Sequence, residues 1–163
     1  MRKNTKRLAT LSVIIATAII LSFVESRIPA FVAIPGVKVG LANIAVIFAL
    51  YKLGIGDAVC VSLIRVVLIS LLFGSIMSLW YSLGGAVLSF SAMLAMKYLT
   101  PANTVSVSLT GGVAHNIGQI LVACLVLDTN VLFYYLPFLL LSGVIAGIAV
   151  GLASALLIKR IKI

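Results

Sequence analysis

"ESRIPAFVAIPGVKVGLAN", residues 25–43, interrupts a chain that is otherwise nearly all Leu, Ile, Val and Ala. Glu25, Arg27 and Lys38 bring one acid and two bases into this stretch, and Pro29, Pro35, Gly36 and Gly40 disfavour a continuous helix through it. An apolar run ends where the stretch begins, and another starts where it closes. The segment therefore joins two helices, and what surrounds it decides on which side of what barrier it lies.

The 163 residues are 63% hydrophobic with a mean hydropathy of +1.32, against the roughly 45–50% apolar usage of soluble domains. Twelve Lys and Arg with three Asp and Glu are too few to clothe a soluble core. The chain reads as an integral membrane protein whose shell is lipid. Its formal charge of +9 does not make a nucleic-acid surface. The bases sit at Arg2, Lys3, Lys6 and Arg7, then singly, then at Lys159, Arg160 and Lys162, flanking apolar runs as topology signals do. Cys60 and Cys124 fall inside apolar runs without CxxC spacing and read as structural thiols. The first 20 residues have the basic start and apolar core of a signal peptide, but no small-residue cleavage site follows, so an uncleaved first span is expected.

Apolar periodicity predicts six transmembrane helices, over residues 8–24, 39–51, 58–73, 78–96, 105–127 and 131–157, in a single all-α domain spanning 1–163. The breaks carry Gly, Pro, Asn or Asp. Six spans put both termini on one side, where nine bases gather, while Arg27 and Lys38 fall on the other. The positive-inside rule makes both termini cytoplasmic in the cell membrane and places residues 25–38 outside. The second run is about 20 Å long at 1.5 Å per residue, short of a ~30 Å hydrocarbon core. Either the preceding segment dips into the membrane or the helix starts inside a cavity. On both readings residues 25–38 act as a lid over an outward-facing cavity, with Glu25, Pro29, Pro35 and Gly36 shaping it.

Arg65 lies within the third span, where an unpaired charge costs about 2.5–3.5 kcal/mol on insertion scales. It contacts an anionic ligand or forms an ion pair with Glu25 or Asp57; the sequence leaves both open. In "GGVAHNIGQ", residues 111–119, Gly111, His115 and Gln119 recur at helical spacing on one face, and Asn116 points about 100° away. That stripe lines a cavity or ties helices together. Asn43 falls near the same outer level, and the bases there outnumber the acids, so a small anionic ligand is expected. The candidate ligand contacts are Arg27, Lys38, Asn43, Arg65, His115 and Gln119. Trp80, Tyr81, Tyr134 and Tyr135 form an interfacial belt or stack on a flat or isoprenoid ligand.

Gly143, Gly147, Gly151 and Ala155 make a small-residue strip that packs either within the bundle or against a partner. Ala9, Ser12 and Ala16 form a weaker strip in the first span, a candidate partner interface. There is no phosphate loop, no acidic cluster for prenyl diphosphate chemistry and no nucleophile–base pairing. Neither catalysis nor a metal or cofactor is expected.

"ESRIPAFVAIPGVKVGLANI", residues 25–44, and "GGVAHNIGQ" resemble the membrane family of Gx transporters, also described as heptaprenyl diphosphate synthase component I. Six helices with both ends cytoplasmic and a loop closing a cavity are similar to the substrate-binding S components of energy-coupling factor (ECF) importers. The resemblance implies a vitamin-type uptake subunit with its first loop as lid, driven by two ATPases through a transmembrane coupling subunit. S components contact that subunit through an alanine pair in helix one; the nearest match here is Ser12 and Ala16, preceded by Ala9. The synthase description implies instead an accessory role in polyprenyl diphosphate, quinone or flavin-linked metabolism.

Overall fold

The computed structural model describes residues 2–27 and 40–161, with side chains from residue 4 onward in the first stretch. Six α-helices follow in order: α1 (Arg2–Arg27), α2 (Asn43–Lys52), α3 (Ile55–Phe73), α4 (Ile76–Leu99), α5 (Thr104–Leu127) and α6 (Leu136–Arg160). No strand occurs among the described residues. Five apolar helical stretches are long enough to cross a membrane, and α2 is the short one. The protein is an all-α, multi-pass membrane bundle. The sixth span departs from the periodicity reading: it opens as a 3₁₀ turn, Val131–Tyr135, before Pro137 sets the first turn of α6.

The shortest helix is the centre of the molecule. Ala45 through Leu50 of α2 are all buried, and a helix apolar all round belongs inside. Ile14 and Ala18 of α1, Ala58 and Val61 of α3, Val107 of α5 and Val150 of α6 close around it. Gly54, at φ +118°, makes the turn from α2 into α3 in backbone space that other residues rarely enter. Ser75 caps α4 by accepting the Ser78 N–H at 3.2 Å, and Asn103 caps α5 by accepting the Ser106 N–H at 2.8 Å.

Two contacts mark one end of the bundle. Arg7 of α1 donates to Asp57 in the first turn of α3 at 2.8 and 2.9 Å, and Lys97 of α4 donates to the Leu50 carbonyl of α2 at 2.8 Å. Lys97 also sits over the Tyr51 ring, 4.5 Å from its centroid. The alternating helices bring Lys6, Arg7, Lys52, Lys97, Lys159 and Arg160 to this end. Asp57 is thus committed to Arg7 and does not neutralise Arg65, which corrects one of the two pairings open from sequence.

The glycine strip of α6 is occupied within the chain. A Cβ on Gly147 would stand 2.6 Å from Leu109 Cα of α5, one on Gly151 2.7 Å from Val105 Cα, and one on Gly112 of α5 2.8 Å from the Gly143 carbonyl. A dimer or partner surface built on this strip is therefore ruled out: it is the α5–α6 seam. The α4–α5 seam is built alike, with Gly118 2.6 Å from the Gly84 carbonyl by the same measure. Without a solvent-driven force between helices in lipid, this close fit is what holds the three together.

Gly147→Leu or Gly118→Val is expected to destabilise the bundle by about 1–3 kcal/mol, read as a lowered Tm in detergent. Gly56→Ala, where a Cβ meets open space, leaves Tm unchanged or slightly raised. Equal effects at all three positions would contradict the seams.

Candidate functional site

Beyond the N-terminal end of α2 the helices part around a polar cavity with two lobes. The larger, about 280 Å³, is lined by Ser22 and Ser26 of α1, Ser70 of α3, and Ser78 and Ser82 of α4. The smaller, about 50 Å³, is lined by Asn43 of α2, Ser108 and Asn116 of α5, and Gly143 and Gly147 of α6. Glu25, Arg65 and His115 line both lobes and so form the waist between them.

Arg65 is held by position rather than by pairing. Its Nε is buried and has no hydrogen-bond partner, and the one ion pair among the described residues is that of Arg7 with Asp57. The opposing charge it feels is that of Glu25 at the end of α1. The Glu25 carboxylate accepts the backbone N–H of Gly40, whose φ of +75° suits glycine. This hydrogen bond closes the base of the segment between α1 and α2, bringing the start of α2 to the cavity.

On α5, Asn116 donates to the Leu139 carbonyl of α6 at 2.6 Å while lining the small lobe. His115 lies across α4 at Gly85, where a Cβ would come within 2.9 Å of the imidazole and 2.8 Å of Gln119 Cγ. Gly85 therefore gives both side chains their seat, but they then diverge. His115 faces the polar cavity, whereas Gln119 lines a separate apolar one with Tyr81, Ile120 and Tyr135. Gly111, the third member of the stripe, abuts Met93 of α4.

Of the residues read from sequence, the structure brings Glu25, Asn43, Arg65 and His115 together. It separates Gln119 from them. Arg27 is exposed and lies over the Phe23 ring at 5.1 Å, outside the cavity lining. Lys38, Pro29, Pro35 and Gly36 fall outside the described residues. Ala9, Ser12 and Ala16 are exposed along α1, with the Ser12 hydroxyl donating to the Leu8 carbonyl at 3.0 Å. The sequence reading missed Asn116 and the serines. The serines had a signal, since Ser22/Ser26 and Ser78/Ser82 are one helical turn apart on their helices. Among the described residues no three His, Cys, Asp or Glu form a metal-holding group. A lone guanidinium, one carboxylate, an imidazole, amides and hydroxyls make a binding chamber with a polar interior.

The protein is thus a multi-pass helical membrane protein with a polar cavity among its helices. A family model described as heptaprenyl diphosphate synthase component I matches residues 14–157, and the chain belongs to that family. The family is a membrane component of that synthase and not itself the catalytic subunit. No curated protein and no solved structure matches the chain.

Gly85→Ala is expected to push His115 and Gln119 from their seats while keeping the helices, lowering Tm by the equivalent of about 1–3 kcal/mol. Cysteine accessibility at a Ser82→Cys reporter in the larger lobe changes with it; an unchanged reporter and Tm would mean the two side chains do not rest on Gly85.

Proposed function

We propose that the chain is the ligand-binding membrane subunit of a multicomponent importer of the ECF type, in the cell membrane with both termini in the cytoplasm. It takes a small ligand from outside at the Arg65 cavity and releases it inside, with two ATPases and a transmembrane coupling subunit as partners. The observation that carries this reading is Arg65, a guanidinium with an unpartnered buried Nε lining a cavity at the end of the bundle away from the bases. An arginine inside a membrane bundle is costly and marks a ligand path or counter-ion site. Arg65 and Glu25 are the charged residues of the described lining. A monoanionic or zwitterionic ligand matches that balance, whereas a diphosphate would meet one cation and one acid. The exposed Ala9, Ser12 and Ala16 of α1 are the face offered to the coupling subunit.

The family description supports a second reading, a non-catalytic membrane accessory in polyprenyl diphosphate or quinone metabolism. Tagged purification from the native host in mild detergent separates the two. The importer reading expects ATPase and coupling subunits to co-purify; a prenyl synthase without any ATPase would replace it with the accessory reading.

The cavity is tested apart from the partner. Small molecules released by denaturing the purified protein are compared between wild type and Arg65→Ala, with Arg65→Lys alongside. Arg65→Ala is expected to lose a specific anionic or zwitterionic species at least tenfold, with Arg65→Lys between. An identical extract from both variants at matched folding would remove Arg65 from ligand binding.

A further inference from the structure

Glu25 and Arg65 face the same opening, yet they do not pair. Both line both lobes of the polar cavity, while the one ion pair among the described residues is that of Arg7 with Asp57. The Arg65 Nε is buried without a hydrogen-bond partner, and Glu25 is near enough for its charge to act on the guanidinium. The Glu25 carboxylate accepts the Gly40 N–H, which engages only part of a group able to accept about four hydrogen bonds. The waist therefore presents a cation and an anion to one space, neither in an ion pair with a described residue.

That balance discriminates among ligands. A simple anion brought to Arg65 also meets the Glu25 carboxylate, and a simple cation brought to Glu25 also meets the guanidinium, in a site where burial strengthens attraction and repulsion alike. A ligand carrying both charges pairs with both residues and leaves the waist neutral. Beyond the waist, five serines give the larger lobe hydroxyls, Val66, Ile69 and Phe73 add apolar surface, and no other charged side chain belongs to its described lining. At about 280 Å³ this lobe has nearly twice the room of the ~150 Å³ cavity that accommodates benzene.

We infer that the ligand of this cavity is an aminocarboxylic acid zwitterion with an uncharged, hydrogen-bonding side chain, its carboxylate on Arg65 and its ammonium on Glu25. The inference rests on the Arg65 cavity being a ligand site and narrows the class of molecule that enters it. The carboxylate accepts from the Arg65 Nε, which satisfies the buried donor. The ammonium donates to the acceptor capacity of Glu25 that Gly40 leaves open. The side chain extends into the larger lobe, where serine hydroxyls both donate and accept. A dicarboxylate or a diphosphate brings more negative charge than one guanidinium offsets, and a second side-chain charge would be buried without a described counter-charge.

The full chain, purified in mild detergent, is denatured, and the released small molecules are treated with dansyl chloride, which tags amines, and separately by methyl esterification, which tags carboxylates. Mass spectrometry is expected to find one species that takes both tags, present in wild type and reduced at least tenfold in Arg65→Ala and in Glu25→Gln. Glutamine at position 25 keeps an oxygen to accept the Gly40 N–H and removes only the charge, so its effect separates charge from local fold. A species that takes no dansyl group, or one lost with Arg65→Ala but kept with Glu25→Gln, would overturn the zwitterion and leave Arg65 in ligand binding. Extracts alike in wild type and both variants would remove the inference and the cavity reading together. Should Arg65→Ala fail to fold, Glu25→Gln and the two tags decide.

Discussion

The architecture depends on one helix being too short. The ten residues of α2 reach about 15 Å, half of a ~30 Å hydrocarbon core. Its central residues, Ala45 through Leu50, are apolar all round and stable only when surrounded, so the other helices enclose them. Enclosing a half-length helix leaves the other half of the bundle's interior to be filled by something else. In this chain that volume holds Arg65, Glu25, His115, Asn43 and Asn116. The polar cavity follows from the length of α2, whose first-turn N–H groups donate to the Gly40, Leu41 and Ala42 carbonyls at its edge.

The walls of that cavity are set by close backbone approach on either side of α5. Glycines on α4 and α6 let both neighbours sit nearly backbone to backbone with α5, so small changes in α5 side chains are transmitted directly to position. His115 and Gln119 show the consequence. They are one turn apart on the same face and rest on the same glycine, Gly85, yet they serve cavities of opposite character. Asn116, pointing around the helix from them, fixes α6 through the Leu139 carbonyl and still lines the small lobe. One turn of α5 therefore controls a polar site, an apolar site and a helix seam.

The membrane class, the all-α architecture and the shortness of the second helix were legible because they rest on composition and run length, which need no partner to interpret. The glycine strip was legible as a contact but not as to whose, since an inward and an outward strip have the same spacing. Arg65 was identifiable as anomalous, but its choice between Glu25 and Asp57 depended on which helix ends meet; Arg7 reaching Asp57 settled that. Gln119 and His115 share a helical face in the sequence, yet they line separate cavities. Helix periodicity gives the direction in which a residue leaves its own axis. It does not say where the neighbouring helix begins a new compartment. The serines escaped notice because a hydroxyl in a membrane helix is satisfied equally well by its own backbone, as Ser12 and Ser91 are.

The two cavities also bear on the family description. Heptaprenyl diphosphate, named in the family description, has a multiply charged head and a long apolar tail. Here the features that would receive those parts are split. The guanidinium stands in a hydroxyl-rich chamber offset by a carboxylate, and the apolar chamber has no cation to hold a diphosphate. A single amphiphile of that kind fits neither chamber on charge. The two chambers differ in polarity instead, one holding a guanidinium, a carboxylate and hydroxyls among α1 to α6 and the other largely apolar against α4 and α5. Gly85 lies against a residue of each chamber, His115 of the polar one and Gln119 of the apolar one.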